Sequence, residues 1–556
     1  MVKPAVPQGP SYPATSLDVT RVLCLLTCIP LGCNMAACLV RSSVLRRASP
    51  GHWLRPRPST GALVSCRAEG GPPSSSIALP ASGGDKLRTI QDLPKVGLWE
   101  VVYRMVFQGY YNRLHDLQIH EKELYGPIYV GGFKTVSLSS VKLMEEVLRK
   151  EEKFPSRGDM SLWTDYRNMR GLGYGPFTEE GKNWYNLRAL LNKRMLHPRD
   201  AVRYGPVINE VVTDLIKRIC YLRQASPCGT LVTDVSNNLY LFSLEGISSV
   251  LFEKRIGCLE NAIPDGTQHF IDSIAQMFAN SAGVILLPKW AQRFSPHWHR
   301  YIAGWDGIFK FAGQLIDKKV EEMERRLGEQ QEVEGEYLTY LLSNTQLSRK
   351  EVYGSVTELL LAGVDTTSNT LMWALHLLSK NPEAQETLYK EVSDHTDILS
   401  AEEVNSMPYL KAVIKETLRM YPVVVMNARR NIEKDVVIGG YHFPKNTVFG
   451  FSLYAMSHDE ETFPEPWRFE PGRWLRDGRE RPYPFGSIPF GFGVRGCVGR
   501  RIAELEMHLS LARMIKLFKV EPDPTLEEIK PVSRTVLVAD RQVNLHFLDR
   551  SNQSQR

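Results

Sequence analysis

One cysteine stands in a setting built for chemistry: Phe490-Gly491-Phe492-Gly493-Val494-Arg495-Gly496-Cys497-Val498-Gly499-Arg500-Arg501. A glycine-rich loop delivers Cys497 to the start of a helix expected from Arg500 to about Phe518. A helix N-terminus favours negative charge and should lower the thiol pKa. The glycines let the backbone approach a flat partner and turn N–H groups toward the sulfur. Arg495, two residues before the cysteine, is placed to meet an anionic group on that partner. A lone thiolate with no second soft ligand nearby suits axial ligation of haem iron. The alternative for any isolated cysteine is a structural role in a buried turn.

A second constellation is Ala362-Gly363-Val364-Asp365-Thr366-Thr367. Ser348 and Glu351 form a capping box that starts a helix, and Asn381-Pro382 ends it after Lys380. About 32 residues at ~1.5 Å each span ~48 Å, so this helix must cross the core. Gly363 costs about 1 kcal/mol in a helix interior, which predicts local opening of the backbone there. Thr366 can then hold water or dioxygen, and Asp365 can relay protons to it. Glu416 and Arg419 lie three apart on one helix face, as an ion pair would require.

The elements that carry these residues are mostly helical by periodicity, with short strand-like pieces at Tyr129–Val130, Val436–Ile438 and Val536–Val538. Arg326–Glu336 reads as a surface loop between helices. With 43% apolar and 23% charged residues, the chain excludes a largely disordered protein. A mean hydropathy of −0.24 excludes a polytopic membrane protein. The net charge of +6 is misleading, because residues 1–90 carry ten Lys/Arg against three Asp/Glu. The rest is nearly balanced, so the body carries no nucleic-acid signature.

From Asp18 to Glu69 there is no other acidic residue but seven arginines, with serines interspersed. Residues 1–69 therefore read as a mitochondrial transit-peptide region, with Met1 or Met35 as the start. The rival is a membrane anchor in the uncharged run Val22–Val40. Residues 70–86 read as a flexible Gly/Pro/Ser linker, and 87–550 as one large domain. Four of the nine cysteines lie in that domain, widely spaced and without a C-x-x-C, so neither a disulfide scaffold nor a zinc site is expected.

The F-x-x-G-x-R-x-C-x-G pattern resembles the haem-ligand loop of the cytochrome P-450 family, and further family marks follow in order. Glu416 and Arg419 (KETLR) match its E-x-x-R pair, and Arg473 in Phe469-Glu-Pro-Gly-Arg-Trp474 completes the resemblance to a buried Glu–Arg–Arg network. Trp184 and Arg188 resemble the W-x-x-x-R helix that reaches haem propionates, and Arg429, with Arg430 beside it, stands where the family has another such arginine. The resemblance implies a mostly α fold with small β-sheets, haem b with Cys497 as axial ligand, and Phe490, Gly491 and Arg495 in the cofactor loop. Asp365 and Thr366 would deliver protons to dioxygen.

Arg500 and Arg501, with Lys411 and Lys415 on the E-x-x-R helix, suggest a docking patch for an acidic electron donor. This pattern resembles the mitochondrial branch, which implies an adrenodoxin-type [2Fe–2S] ferredoxin reduced by NADPH through its reductase. Segments 251–260, 360–375 and 499–509 resemble members of that branch that hydroxylate sterol side chains; members acting on vitamin D share much of the pattern. A sterol substrate and peripheral attachment to the matrix face of the inner membrane follow as expectations. Trp163, Val423 and Val424 are candidates for the tunnel lining, and Ile285–Trp290 for a membrane-dipping or core-packed loop. The rival readings are a microsomal enzyme fed by a flavin reductase and a non-catalytic haem protein.

Overall fold

The computed structural model describes residues 87–550 apart from 133, 197–201, 332–334, 336 and 477–479. The expectations for 1–69 and 70–86 lie outside these residues. The architecture is mostly α with small sheets. Helices that bear on the site are α1 (Leu98–Val106), α2 (Ser161–Arg170), α3 (Gly181–Met195), α4 (Val235–Phe252), α5 (Thr267–Ile285), α6 (Pro296–Gly328), α7 (Arg349–Lys380), α8 (Pro408–Met420) and α9 (Arg500–Leu517).

Helix α7 has the capping box of its first turn: the Ser348 hydroxyl accepts from the Glu351 N–H at 3.3 Å, and the Glu351 carboxylate accepts from the Ser348 N–H at 2.8 Å. It is apolar on nearly every face and therefore runs through the core. From Gly354 to Ser379 every residue is buried except Ala362, Gly363 and Thr366. These three share one face, so α7 meets an internal space at its middle. The helix is continuous there. Gly363 is small for a different reason from the one expected: a Cβ would sit 2.6 Å from Ile247 Cγ1 of α4. The glycine permits close approach of two helices, and no backbone opening occurs.

Among the described residues four sheets flank the helices. The largest has the order β1 (Ile128–Val130), β2 (Val136–Leu138), β4 (Val448–Ser452), β3 (Met426–Arg430). β2 pairs parallel to β4, and β3 antiparallel to it, with Arg429 opposite Phe449. The strand-like piece at Val436–Ile438 pairs antiparallel with Tyr441–Phe443, and Val536–Ala539 pairs with Pro531–Arg534. The main core gathers α4, α7 and α9, while a smaller one lies beneath the four-stranded sheet. The first three residues of the stretch expected as a loop from Arg326 are still helical, because α6 runs on to Gly328; its residues 332–334 and 336 lie outside the described ones. Among the described residues no helix is long and apolar enough to cross a membrane.

Candidate active site

The loop around Cys497 is closed by its own backbone. The Cys497 N–H donates to Phe490 O at 2.8 Å, Gly496 N–H to Gly493 O at 3.0 Å, and Gly491 N–H to Ile488 O at 2.8 Å. Gly491 and Gly493 have φ of +73° and +66°, a region that penalises any Cβ. Helix α9 starts three residues past the cysteine. Cys497 is an accessible residue, yet it lies deep in the protein and so faces an internal space rather than bulk water. Burial pushes its thiol pKa up, contrary to the lowering expected from the helix start. The Gly499 N–H and the guanidiniums of Arg188, Arg157 and Arg500 oppose that rise without overcoming it.

Around this sulfur the chain concentrates arginines. Arg188 donates from Nε to Asn192 Oδ1 at 2.6 Å and from Nη2 to the Gly496 carbonyl. Arg495 is buried, donates from Nε to Pro155 O at 2.7 Å, and lies 3.6 Å over the Trp184 ring. Arg429, also buried, donates from Nε to Glu151 and from Nη1 to Ala428 O at 2.8 Å. Arg157 stacks on Phe177 at 4.9 Å and was not singled out by sequence reasoning, because nothing local marks it. Burial and mutual repulsion lower Arg495 to about 9 and Arg157 to about 10. Among the described residues, Arg157, Arg188 and Arg495 have no ion-pair partner, and Arg429 pairs with Glu151 alone. The indole N–H of Trp184 is buried without an acceptor among the described residues. A buried excess of positive charge beside a thiol, with an orphaned donor, fits a flat dianionic cofactor ligated through sulfur. Haem, with two propionates, has that charge and shape.

Beneath this region Glu416 of α8 is fully buried and fully engaged. It accepts from Arg419 Nε at 2.9 Å and Nη2 at 2.8 Å, Arg473 Nε at 2.9 Å, Trp474 Nε1 at 2.9 Å and the Glu470 N–H at 3.1 Å. Arg419 Nη1 also donates to Ser457 O at 2.9 Å, tying α8 to the segment that precedes the cysteine loop.

The Cytochrome P450 family model matches residues 94–547. The chain belongs to the cytochrome P450 family. It is 47% identical over 487 residues to "Sterol 26-hydroxylase, mitochondrial" of Mus musculus, covering 85% of this chain and 91% of that one. With the Homo sapiens protein of that name it shares 46% over 499 residues, 86% and 93% of the two chains. The Homo sapiens "25-hydroxyvitamin D-1 alpha hydroxylase, mitochondrial" is 41% identical over 479 residues, 83% and 93%. This P450 is thus a relative of mitochondrial sterol hydroxylases, and its family is one of haem-thiolate proteins.

In this P450, Asp365 and Thr366 bond away from each other. The Thr366 hydroxyl donates to Ala362 O at 2.7 Å, back along its own helix. The Asp365 carboxylate is buried and accepts from the Tyr240 hydroxyl of α4 at 2.8 Å through Oδ1. Burial raises Asp365 from 3.8 to about 6, against the lowering effect of that hydrogen bond. A carboxyl whose folded pKa exceeds its unfolded one costs nothing below pH ~4, and its cost grows to the full value above pH ~6. Two pKa units correspond to roughly 3 kcal/mol. Asp365→Asn, which keeps the acceptor for Tyr240, should therefore raise the melting temperature at pH 7.5 and leave it unchanged at pH 4. An equal gain at both pH values would contradict this account.

The remaining candidates divide. Lys415 is exposed, lies 5.9 Å over the Trp474 ring, and is lowered in pKa by partial burial and by neighbours Arg500, Lys411 and Arg476. Lys411 donates to Asn405 O. Arg500 pairs with Glu504 at 2.9 Å, and Arg501 reaches the same carboxylate at 4.0 Å. Lys411, Lys415, Arg476 and Arg500 therefore lie near one another, with Arg500 and Arg501 partly neutralised by Glu504. Trp163 packs edge-on against Trp305 at 5.0 Å. Val423 is buried with its carbonyl accepting from the Leu537 N–H at 2.8 Å, while Val424 is exposed. Beside Trp163 lies an ion pair that the sequence did not reveal: Arg167 Nη2 and Glu358 Oε1 of α7 are 2.9 Å apart, both wholly buried.

Proposed function

We propose that the chain is a mitochondrial haem-thiolate monooxygenase that hydroxylates the terminal side-chain carbon of sterols, cholesterol and bile-acid intermediates among them. The observation that carries this reading is the arginine cluster around Cys497, joined to identity at nearly half of the aligned positions with the mitochondrial sterol 26-hydroxylases. Haem bound through Cys497 supplies the oxidising chemistry on dioxygen. The protein's own residues do the rest. Arg157, Arg188, Arg429 and Arg495 would neutralise the propionates, with the Trp184 N–H as a further donor. The Glu416–Arg419–Arg473 network holds the segment before the cysteine loop. Asp365, raised to about 6, can take up and release a proton close to physiological pH, and Thr366 stands on the accessible face of α7 to pass it on through bound water.

The cationic patch of Lys411, Lys415, Arg476, Arg500 and Arg501 would receive an acidic ferredoxin of the adrenodoxin type. Trp99 of α1, at 72% exposure, and Trp290 and Phe294 after α5, at 66% and 84%, offer apolar side chains to a membrane surface. Tyr111 lies against the Gly283 backbone, which brings the segment after α1 to the end of α5. That arrangement supports peripheral attachment at the matrix face of the inner membrane. The vitamin D hydroxylase reading has the lower identity, 41% against 47%.

The test supplies purified protein with NADPH, adrenodoxin reductase and adrenodoxin, and compares cholesterol, bile-acid intermediates and secosteroids. Hydroxylation at the terminal side-chain carbon of the sterols is expected, and activity on secosteroids alone would replace this reading. Lys411→Gln with Lys415→Gln should raise the adrenodoxin concentration for half-maximal turnover roughly five- to thirtyfold, at about 0.5–1 kcal/mol per exposed charge. Sterol affinity should stay unchanged, and the effect should shrink as salt screens the charges beyond about 8–10 Å. Robust turnover with a microsomal flavin reductase and none with adrenodoxin would sink the mitochondrial assignment.

A further inference from the structure

Tyr240 lies on α4, 125 residues from Asp365 in sequence, yet its hydroxyl contacts this one acid of α7's central segment. It donates to Asp365 Oδ1 at 2.8 Å. Asn369 Nδ2, one turn along α7, donates to the Tyr240 oxygen at 2.8 Å and to the Asp365 carbonyl at 2.8 Å. The Tyr240 hydroxyl thus donates to Asp365 while its oxygen accepts from Asn369, so Asn369 braces the pair from one turn along α7. The second carboxyl oxygen, Oδ2, is buried and has no hydrogen-bond partner among the described residues. The two oxygens of Asp365 are thus made unlike: one is pinned, the other has its lone pairs free.

We propose that Tyr240, braced by Asn369, is a positioning residue for the proton-delivering acid, fixing Asp365 through Oδ1 so that the proton loads on and leaves from Oδ2. This rests on the reading of Asp365 as that acid. When Oδ2–H gives up its proton, the carboxylate formed is stabilised by the Tyr240 O–H, and water returns the proton. Burial alone raises Asp365, and the Tyr240 hydrogen bond restrains it at about 6, so an acid still mostly able to ionise at neutral pH is kept able to reload. No other titratable group competes for it among the described residues. On α4, Glu245 faces away and accepts from the N–H groups of Ile256, Gly257 and Cys258. On α9, Glu506 faces Gly246. On α7, Asn369 is neutral.

The experiment uses the full holoprotein and reads two quantities across pH: the infrared carbonyl band of protonated Asp365, and the fraction of NADPH electrons recovered in hydroxylated sterol. Tyr240→Phe removes the hydrogen bond that favours the carboxylate. The infrared band should then titrate about one pH unit higher than in the parent protein. The alkaline fall in coupling, where the acid is no longer protonated, should move upward with it. Sterol affinity and KM should not move, which a general loss of structure would not permit. Asn369→Ser, which weakens the brace, should shift both in the same direction by less. If Tyr240→Phe and Asn369→Ser leave the band and the coupling profile in place while Asp365→Asn abolishes both, the positioning role is wrong. If Asp365→Asn itself leaves the coupling profile unchanged, it is the acid assignment that fails.

Discussion

Cys497→Ala is expected to abolish turnover and to remove the long-wavelength Soret band that a thiolate-ligated, carbon-monoxide-bound ferrous haem shows. The loop geometry explains why no neighbour can substitute. Cys497 is held over the internal space by its N–H bond to Phe490 O and by the left-handed turns at Gly491 and Gly493. Cys228 is exposed at the surface. Cys258 is buried beside Glu245, where burial and that carboxylate hold its thiol protonated. Cys220 projects from a helix that ends before the strand at Leu231–Val232. Spectra of the reduced variant with carbon monoxide check this directly. A band that survives would mean that another cysteine binds the iron and that the arginine cluster serves something else.

Glu416→Ala should be the most damaging substitution to the fold. It strands Arg419, which is wholly buried, together with Arg473, the Trp474 indole and the Glu470 N–H. Removing one partner of a buried ion pair costs about 3–5 kcal/mol. That is a large part of the roughly 5–15 kcal/mol by which a native domain is stable. Glu416→Gln keeps an acceptor but not the charge, and should lie between the alanine variant and the parent protein. Denaturant midpoints of the three, with haem content measured alongside, test the order. A loss below about 1 kcal/mol for alanine would show that the network adds little to stability.

What could be read before the structure, and what could not, follows from how far apart in the chain the interacting groups stand. The capping box at Ser348 and the stop at Asn381-Pro382 are four-residue and two-residue signals, and α7 begins and ends at them. Glu416 and Arg419 meet because they are one helical turn apart. Arg157 could not be foreseen, since its significance depends on Arg188 and Cys497 arriving beside it in the folded chain. Tyr240 was invisible for the same reason: a tyrosine amid apolar helix residues looks like core until Asp365 is found at its hydroxyl. The expected lowering of the Cys497 thiol failed because the helix-terminus argument ignores burial, which acts in the opposite direction and dominates here. The role given to Gly363 failed likewise, because propensity describes an isolated helix and Ile247 belongs to another one.

The bonds that close the cysteine loop onto the rest of the protein have a consequence for the order of folding. Arg188 reaches Gly496 across 308 residues and Arg495 reaches Pro155 across 340, while beside them Arg429 reaches Glu151 across 278. Such contacts are slow to form, because a long loop must close before any of them is rewarded. A chain emerging from its N-terminus presents Arg157 and Arg188 early, as isolated like charges with no thiol to face. Only when the last tenth of the sequence arrives can sulfur and guanidiniums enclose a common space. With haem held as proposed, capture of the cofactor would be a late event coupled to the docking of α9, and a chain stopped short of Arg495 would have Arg157, Arg188 and Arg429 without the thiol to hold iron.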